Sequence, residues 1–143
     1  MHFSTGDGAP ANDRAASTWR TATAPEPGFT HEGYVLTMKA DEAGWAAAAF
    51  VNRRLRPDLG GLGVYLRYDS TTLPTYIAWR MMREGLYALG MEPATNPFGN
   101  PSDLIAQGYP LVLQPGDERR YELEFGILAG GDAIDEFEST LPE

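Results

Sequence analysis

Alternation of apolar and polar residues constrains the fold of this chain more than any other feature. Segments 62–69 and 119–128 both place large apolar side chains at every second position. Because successive side chains of a strand point to opposite faces of a sheet, this period of two predicts two strands with one buried face each. In the second segment, the side chains expected to point inward are Tyr121, Leu123, Phe125 and Ile127.

Shorter segments complete a β-rich pattern. Residues 34–39, 76–80, 86–91 and 111–114 favour strands because they are apolar or alternating and are bounded by Gly, Pro or Asp. Segment 41–54 is ambiguous, since its four consecutive alanines favour a helix. Gly44 would fall in the first helical turn, however, and Trp45 and Phe50 suit a strand, so we predict a strand there.

The fold class predicted from these segments is an all-β, largely antiparallel sandwich of about seven to nine strands. One short helix is expected at 132–137, capped by Asp132. Residues 1–30 are rich in Gly and Pro and poor in apolar residues, and they predict a flexible N-terminal arm that touches the body through Trp19 and Phe29. Residues 31–143 then form a single β domain.

Composition excludes several classes of function. The 143 residues include no cysteine, so thiolate nucleophiles, disulfides and cysteine-ligated zinc are absent, and His2 and His31 do not have metal-ligand spacing. A net charge of −9 argues against nucleic acid and anionic membranes as partners. No apolar run is long enough to span a bilayer, and no signal peptide is recognisable, so we expect a cytoplasmic protein without metal or cofactor.

Glu92 is the candidate catalytic residue. It follows the apolar run 86–91 and precedes Pro93 and Pro97, so the strand is expected to end at about Glu92. A carboxylate at the mouth of a β core is partly desolvated, which raises its pKa and suits it to act as a general base. The competing interpretation is an ion pair with Arg80 or Arg83, since structural ion pairs are common.

Four separated motifs, in this order, resemble the C-terminal half of the aldose 1-epimerases, the galactose mutarotase-like proteins. They are Leu-Gly-Val-Tyr-Leu-Arg-Tyr-Asp at 62–69, Thr-Leu-Pro through Trp-Arg at 72–80, Leu-Gly-Met-Glu-Pro-Ala-Thr-Asn at 89–96 and Leu-Gln-Pro-Gly-Asp at 113–117. The likeness is greatest to the branch of uncharacterised function, in which Gly-Trp and Val-Asn pairs like those at 44–45 and 51–52 lie on consecutive β segments. The resemblance covers residues 28–138 and implies part of a β-supersandwich.

The resemblance implies a role for Glu92 as the base on the anomeric hydroxyl of a sugar. The acid of that family is a histidine on an upstream strand that this chain lacks, so the chain is expected to be incomplete as an enzyme. Trp79, Arg80, Asn96 and Glu32 are the expected sugar contacts. Because Trp79 and Arg80 must point to opposite faces of their strand, we expect Arg80 to share the cleft with Glu92. Tyr65 and Tyr87 are further aromatic candidates, but both suit the core better.

Two other functions remain open. The first is a non-catalytic sugar-binding or regulatory module that keeps the cleft without the acid. The second is a structural half-sandwich that dimerises, because the apolar alternation and unpaired strand edges of a supersandwich half need cover. The expected partners are therefore a small sugar and a second copy of the chain in a homodimer.

Overall fold

A computed structural model describes the backbone of residues 3–5 and the full conformation of residues 18–142. They contain seven strands and two helices: β1 Phe3–Thr5, β2 Glu32–Met38, β3 Trp45–Asn52, β4 Leu62–Asp69, β5 Thr75–Arg83, β6 Leu86–Ala94, α1 Pro101–Ala106, β7 Leu123–Ala129 and α2 Gly131–Ser139. The ladders formed by β2 to β7 are all antiparallel. The predicted all-β antiparallel fold with a short C-terminal helix is confirmed.

The chain divides into two compact units. One comprises residues 1–3, 38–73 and 113–143 and contains a sheet of order β3-β4-β7. The other comprises residues 4–37 and 74–112, and its sheet has the order β1-β2-β5-β6. No helix in the described part of the chain is long and apolar enough to cross a membrane.

The alanine-rich segment is a strand, as predicted. All eight residues of β3 pair with β4, from Trp45 opposite Asp69 to Asn52 opposite Leu62. Ala46 and Ala48 are buried on one face, where small side chains allow close packing. Tertiary pairing thus overrides the helix propensity of alanine.

The expected burial of the apolar residues near β7 is wrong, although Leu123 and Phe125 lie on the same face of the sheet as the buried Tyr68 and Leu66. Phe125 is 82% exposed and Ile127 is 69% exposed, and Leu123 and Tyr121 are also exposed. Alternation shows that the two faces of a strand differ, but it does not show which face is covered. In β7 the covered face is the other one, where Leu128 is buried and helix α2 lies against the strand.

Strand bounds also differ from the prediction, and β7, for example, begins at Leu123 rather than at residue 119. Strand β6 continues through Glu92 and Pro93 to Ala94, paired with β5 throughout. Because β6 is the edge strand of its sheet, a proline without an N–H is tolerated there. Residues 111–114, in contrast, form no strand.

The helices begin differently from the expectation. Gly130, not Asp132, is the N-cap of α2, and Asp132 lies in the first turn. There its carboxylate interacts favourably with the positive end of the helix dipole. Helix α1 was not predicted, although its start is readable: the Asn100 side chain accepts a hydrogen bond from the Ser102 N–H, and Pro101 follows the cap.

The described part of the predicted arm, residues 18–30, lies on strand β5. The Glu26 N–H donates to the Met82 carbonyl at 2.7 Å, and the Glu84 N–H donates back to Glu26 at 3.3 Å. Phe29 is buried in a cluster with Met81 and Met82. This segment is therefore held by backbone hydrogen bonds and apolar packing.

Ile134 provides a test of how α2 is attached to its sheet. Its side chain is fully buried, so Ile134→Ala should lower the free energy of unfolding by about 2–4 kcal/mol through lost burial and a cavity. Ile105→Ala, at an exposed position of α1, is the matched control and should change it little. Urea denaturation followed by circular dichroism measures both, and equal effects would contradict the described packing of α2.

Candidate functional site

Two rows of directly opposed residues cross the sheet of β2, β5 and β6 on one face. The first row is Gly33, Trp79 and Gly90, and the second is Val35, Ile77 and Glu92. Directly opposed residues of antiparallel strands share a face, as do residues two apart on one strand. Glu92 and Trp79 therefore lie on the same face of the sheet, which we call the Glu92 face.

Glycine on both sides of Trp79 makes room for two other side chains. A Cβ atom added at Gly90 would collide with the Glu92 carboxylate, which leans over this position. A Cβ atom at Gly33 would come within 3.2 Å of the Phe98 ring. The missing side chains of the two glycines thus allow a carboxylate and an aromatic ring to flank Trp79.

The Glu92 carboxylate is exposed and makes no hydrogen bond or ion pair with any residue in 18–142. Beside it, Trp79 is half-buried against the Phe29, Met81 and Met82 cluster. The exposed imidazole of His31 stacks on Trp79, with ring centroids 6.3 Å apart and planes inclined by 29°. The Glu92 face therefore combines a carboxylate that no described residue pairs with, an imidazole and two aromatic rings.

The opposite face of the same sheet carries a buried ion pair. The Arg80 guanidinium donates to the Glu32 carboxylate at 2.6 Å, and the side chains are only 4% and 13% exposed. The Tyr34 hydroxyl donates to the same carboxylate oxygen at 2.6 Å. Burial, and then this hydrogen bond to Glu32, raise the pKa of Tyr34 to about 12.

The remaining donors of Arg80 bind the segment that precedes β2. They reach the carbonyls of Thr18 and Thr21 at 2.7 and 3.1 Å and the Thr18 hydroxyl at 2.8 Å. The guanidinium also lies over the rings of Phe29 and Tyr34, 5.9 and 5.6 Å from their centroids. Arg80 is thus held on several sides within the protein.

The structure brings together only some of the sequence-predicted site residues. Trp79 shares a face with Glu92, whereas Arg80 and Glu32 bind each other on the opposite face. The expectation that Arg80 lies beside Glu92 is therefore wrong, because the buried pair with Glu32 requires Arg80 to point away. Asn96 accepts from the Thr95 hydroxyl at 2.8 Å and donates to the Pro97 carbonyl at 2.9 Å, so it braces its own loop.

Phe98 and His31 lie on the Glu92 face but are not among the site residues predicted from the sequence. The feature that would have indicated a site here is the strand register, which places a glycine on each side of Trp79. His31 precedes Gly33 by two positions, so it falls on the same side of the chain. When the pairing of the strands is unknown, neither Gly33 nor Gly90 shows which side chain lies over it.

Tyr87 and Tyr65, the other aromatic candidates, both have defined partners. The Tyr87 hydroxyl donates to the Thr23 carbonyl at 2.6 Å. The Tyr65 ring lies over Gly126, packs on Phe137 at a centroid distance of 5.2 Å and donates through its hydroxyl to Glu124 at 2.7 Å. This hydrogen bond, together with desolvation, raises the pKa of Tyr65.

Tyr65 lines a half-open cleft of about 390 Å³ between the sheet of β3, β4 and β7 and helix α2. In its lining the Arg67 guanidinium lies 5.6 Å from the Trp45 ring centroid, with Asp41 at 3.6 Å and Glu124 at 3.8 Å. These contacts hold the polar side chains of the cleft together. Among residues 18–142, no three His, Asp or Glu side chains gather closely enough to hold a metal ion.

The different surroundings of Glu32 and Glu92 predict different effects of the same substitution on stability. Glu32→Gln leaves the buried Arg80 charge without its partner and should lower the free energy of unfolding by about 3 kcal/mol. Glu92→Gln removes no contact with a described residue and should leave the urea midpoint unchanged. Equal midpoints for the two variants would contradict the structural role of the Arg80–Glu32 pair.

Comparisons with known proteins identify a family without a described activity. No curated protein and no solved structure matches the chain. Residues 4–127 match the family model described as a domain of unknown function, DUF4432. This match covers most of the 143 residues, so the chain belongs to the DUF4432 family.

Proposed function

We propose that this protein is a cytoplasmic sugar-binding protein similar to aldose 1-epimerases, and that it acts on the anomeric centre of a sugar through Glu92. The observation that carries the proposal is the exposed Glu92 carboxylate beside Trp79, without a partner among the described residues. The Glu32 carboxylate, in contrast, already accepts hydrogen bonds from Arg80 and Tyr34. Glu92 remains available to a ligand.

A pyranose suits the groups on this face. Its C–H surface is apolar and packs on aromatic rings, while its hydroxyls need fixed polar partners. Trp79 and Phe98, whose ring lies over Gly33, supply the aromatic surface, and Glu92 and His31 supply polar groups. Arg80 and Glu32 are not part of the proposed site, because they bind each other on the opposite face.

The proposed reaction moves two protons. Glu92 accepts the proton of the anomeric hydroxyl as the bond from C1 to the ring oxygen breaks, which gives the open-chain aldehyde, and the ring oxygen takes up a proton. Rotation about the C1–C2 bond and the reverse proton transfers close the ring as the other anomer. His31, stacked on Trp79, is our candidate donor to the ring oxygen.

A non-catalytic sugar-binding module is the second candidate. The observation that favours it is the internal use of Arg80, Glu32 and Asn96, which leaves few polar groups for transition-state contacts. Binding asks only for the aromatic platform and one or two polar groups, whereas mutarotation also requires an acid and a base in position. The two candidates therefore differ in whether the protein accelerates mutarotation, whereas both bind the sugar.

Polarimetry with freshly dissolved α-glucose and α-galactose tests the reaction. The protein should accelerate mutarotation, and Glu92→Gln should abolish the acceleration because an amide cannot accept the anomeric proton. Glu42→Gln, at another exposed glutamate, is the matched control and should keep full activity.

Sugar binding measured by NMR separates the two candidates. Binding without acceleration would support the non-catalytic module, and binding that Trp79→Ala does not weaken would contradict the Glu92 face as the site. Loss of acceleration in His31→Gln with binding retained would support His31 as the acid. Neither binding nor acceleration with any pyranose would overturn the proposed function.

Association into a homodimer is a further part of the proposal. Strand β7 ends its sheet, and the side chains of Leu123, Phe125 and Ile127 are 49%, 82% and 69% exposed on one of its faces. Exposed apolar patches and open sheet edges both favour association. A second copy offers an identical patch.

Light scattering at micromolar concentration should give twice the chain mass of 15.6 kDa. Phe125→Lys should give a monomer, because a charge replaces the most exposed apolar side chain of the patch. Leu113→Lys changes an apolar residue that is 53% exposed elsewhere in the same unit, and it should leave the dimer intact. A stable wild-type monomer would overturn this part of the proposal.

A further inference from the structure

Along the edge of β7 away from β4, backbone groups have no hydrogen-bond partner among residues 18–142. The Asp69 N–H of β4 donates to the Glu122 carbonyl at 3.1 Å just before β7. In an antiparallel ladder, backbone groups point alternately toward and away from the partner strand. Those of Glu124 and Gly126 therefore point toward β4, and those of the residues between them point outward.

The outward-facing backbone groups belong to the residues with exposed apolar side chains. Leu123, Phe125 and Ile127 combine both features, and no hydrogen bond from their outward N–H groups to a residue in 18–142 is present. The three residues are spaced symmetrically about Phe125. A strand running antiparallel along this edge could satisfy the backbone groups and cover the side chains together.

We propose that two copies of this chain pair antiparallel along β7, with the two-fold axis at Phe125. The inference rests on the proposed homodimer and specifies its register. Phe125 then faces Phe125 of the second copy, and Leu123 faces Ile127 of the second copy. The two three-stranded sheets become one continuous sheet of six strands, and the interface is isologous, as expected for a two-fold dimer.

Charge favours this register. Glu124 faces Gly126 of the second copy, so no two carboxylates oppose each other, whereas an axis at Glu124 would set two glutamates directly opposite. Glu124 is the one charged residue of β7, so this register brings no like charges together along the strand.

Single cysteines test the register directly, because the natural chain contains none. In Phe125→Cys the two thiols meet at the axis, where the Cα atoms of a hydrogen-bonded pair are about 5.5 Å apart and within disulfide range. Mild oxidation should give a covalent dimer on a non-reducing gel. Leu123→Cys alone should not, because its copies lie about 13 Å apart, four residues along the strand. Combining Leu123→Cys with Ile127→Cys should restore the covalent dimer.

Leu113→Cys, at an exposed position outside β7, measures the rate of cross-linking by random collision between molecules. The proposal expects Phe125→Cys to cross-link at least about tenfold faster, since pairing raises the effective concentration of the thiols. Faster cross-linking of Leu123→Cys than of Phe125→Cys would overturn the register. Equal rates at positions 125 and 113 would overturn pairing through β7, even if light scattering shows a dimer. Circular dichroism of each variant confirms that it is folded, and polarimetry reports on the sugar site separately.

Discussion

The buried ion pair of Arg80 and Glu32 determines the arrangement of the β2–β5–β6 sheet. A guanidinium that is 4% exposed needs a partner, because an isolated buried charge costs several kcal/mol. Glu32 is that partner, and it comes from the neighbouring strand at the directly opposed position. The carbonyls of Thr18 and Thr21 use further donors, so the pair also holds the segment that precedes β2.

The orientation of Arg80 decides where Trp79 lies. Adjacent residues of a strand point to opposite faces, so an arginine fixed on one face places the preceding tryptophan on the other. Glu92 reaches that same face because it opposes Ile77, two positions before Trp79. One face of the sheet thus carries the buried ion pair and the other carries the exposed Glu92 near Trp79, which explains why two glutamates in one sheet have such different surroundings.

Sequence predicted the class of the fold and the central strands well, since period-two alternation is a local property. It also identified Trp79 and Glu92 as candidate site residues. It could not predict that β7 exposes Phe125 and Ile127, because the covered face of a strand depends on which element lies against it. It likewise misplaced Arg80, since the choice between Glu92 and Glu32 as partner depends on a register between strands far apart in sequence.

The edge strands β6 and β7 differ in a way that favours association through β7. Strand β6 carries Pro93, which has no N–H to offer, and the charged Glu92 beside it. Proline and charge at an edge both discourage the addition of another strand. Strand β7 contains no proline, and the exposed residues of one face are all apolar. In the proposed dimer the second copy therefore pairs along β7, and the β6 edge next to the proposed sugar site is not part of the interface.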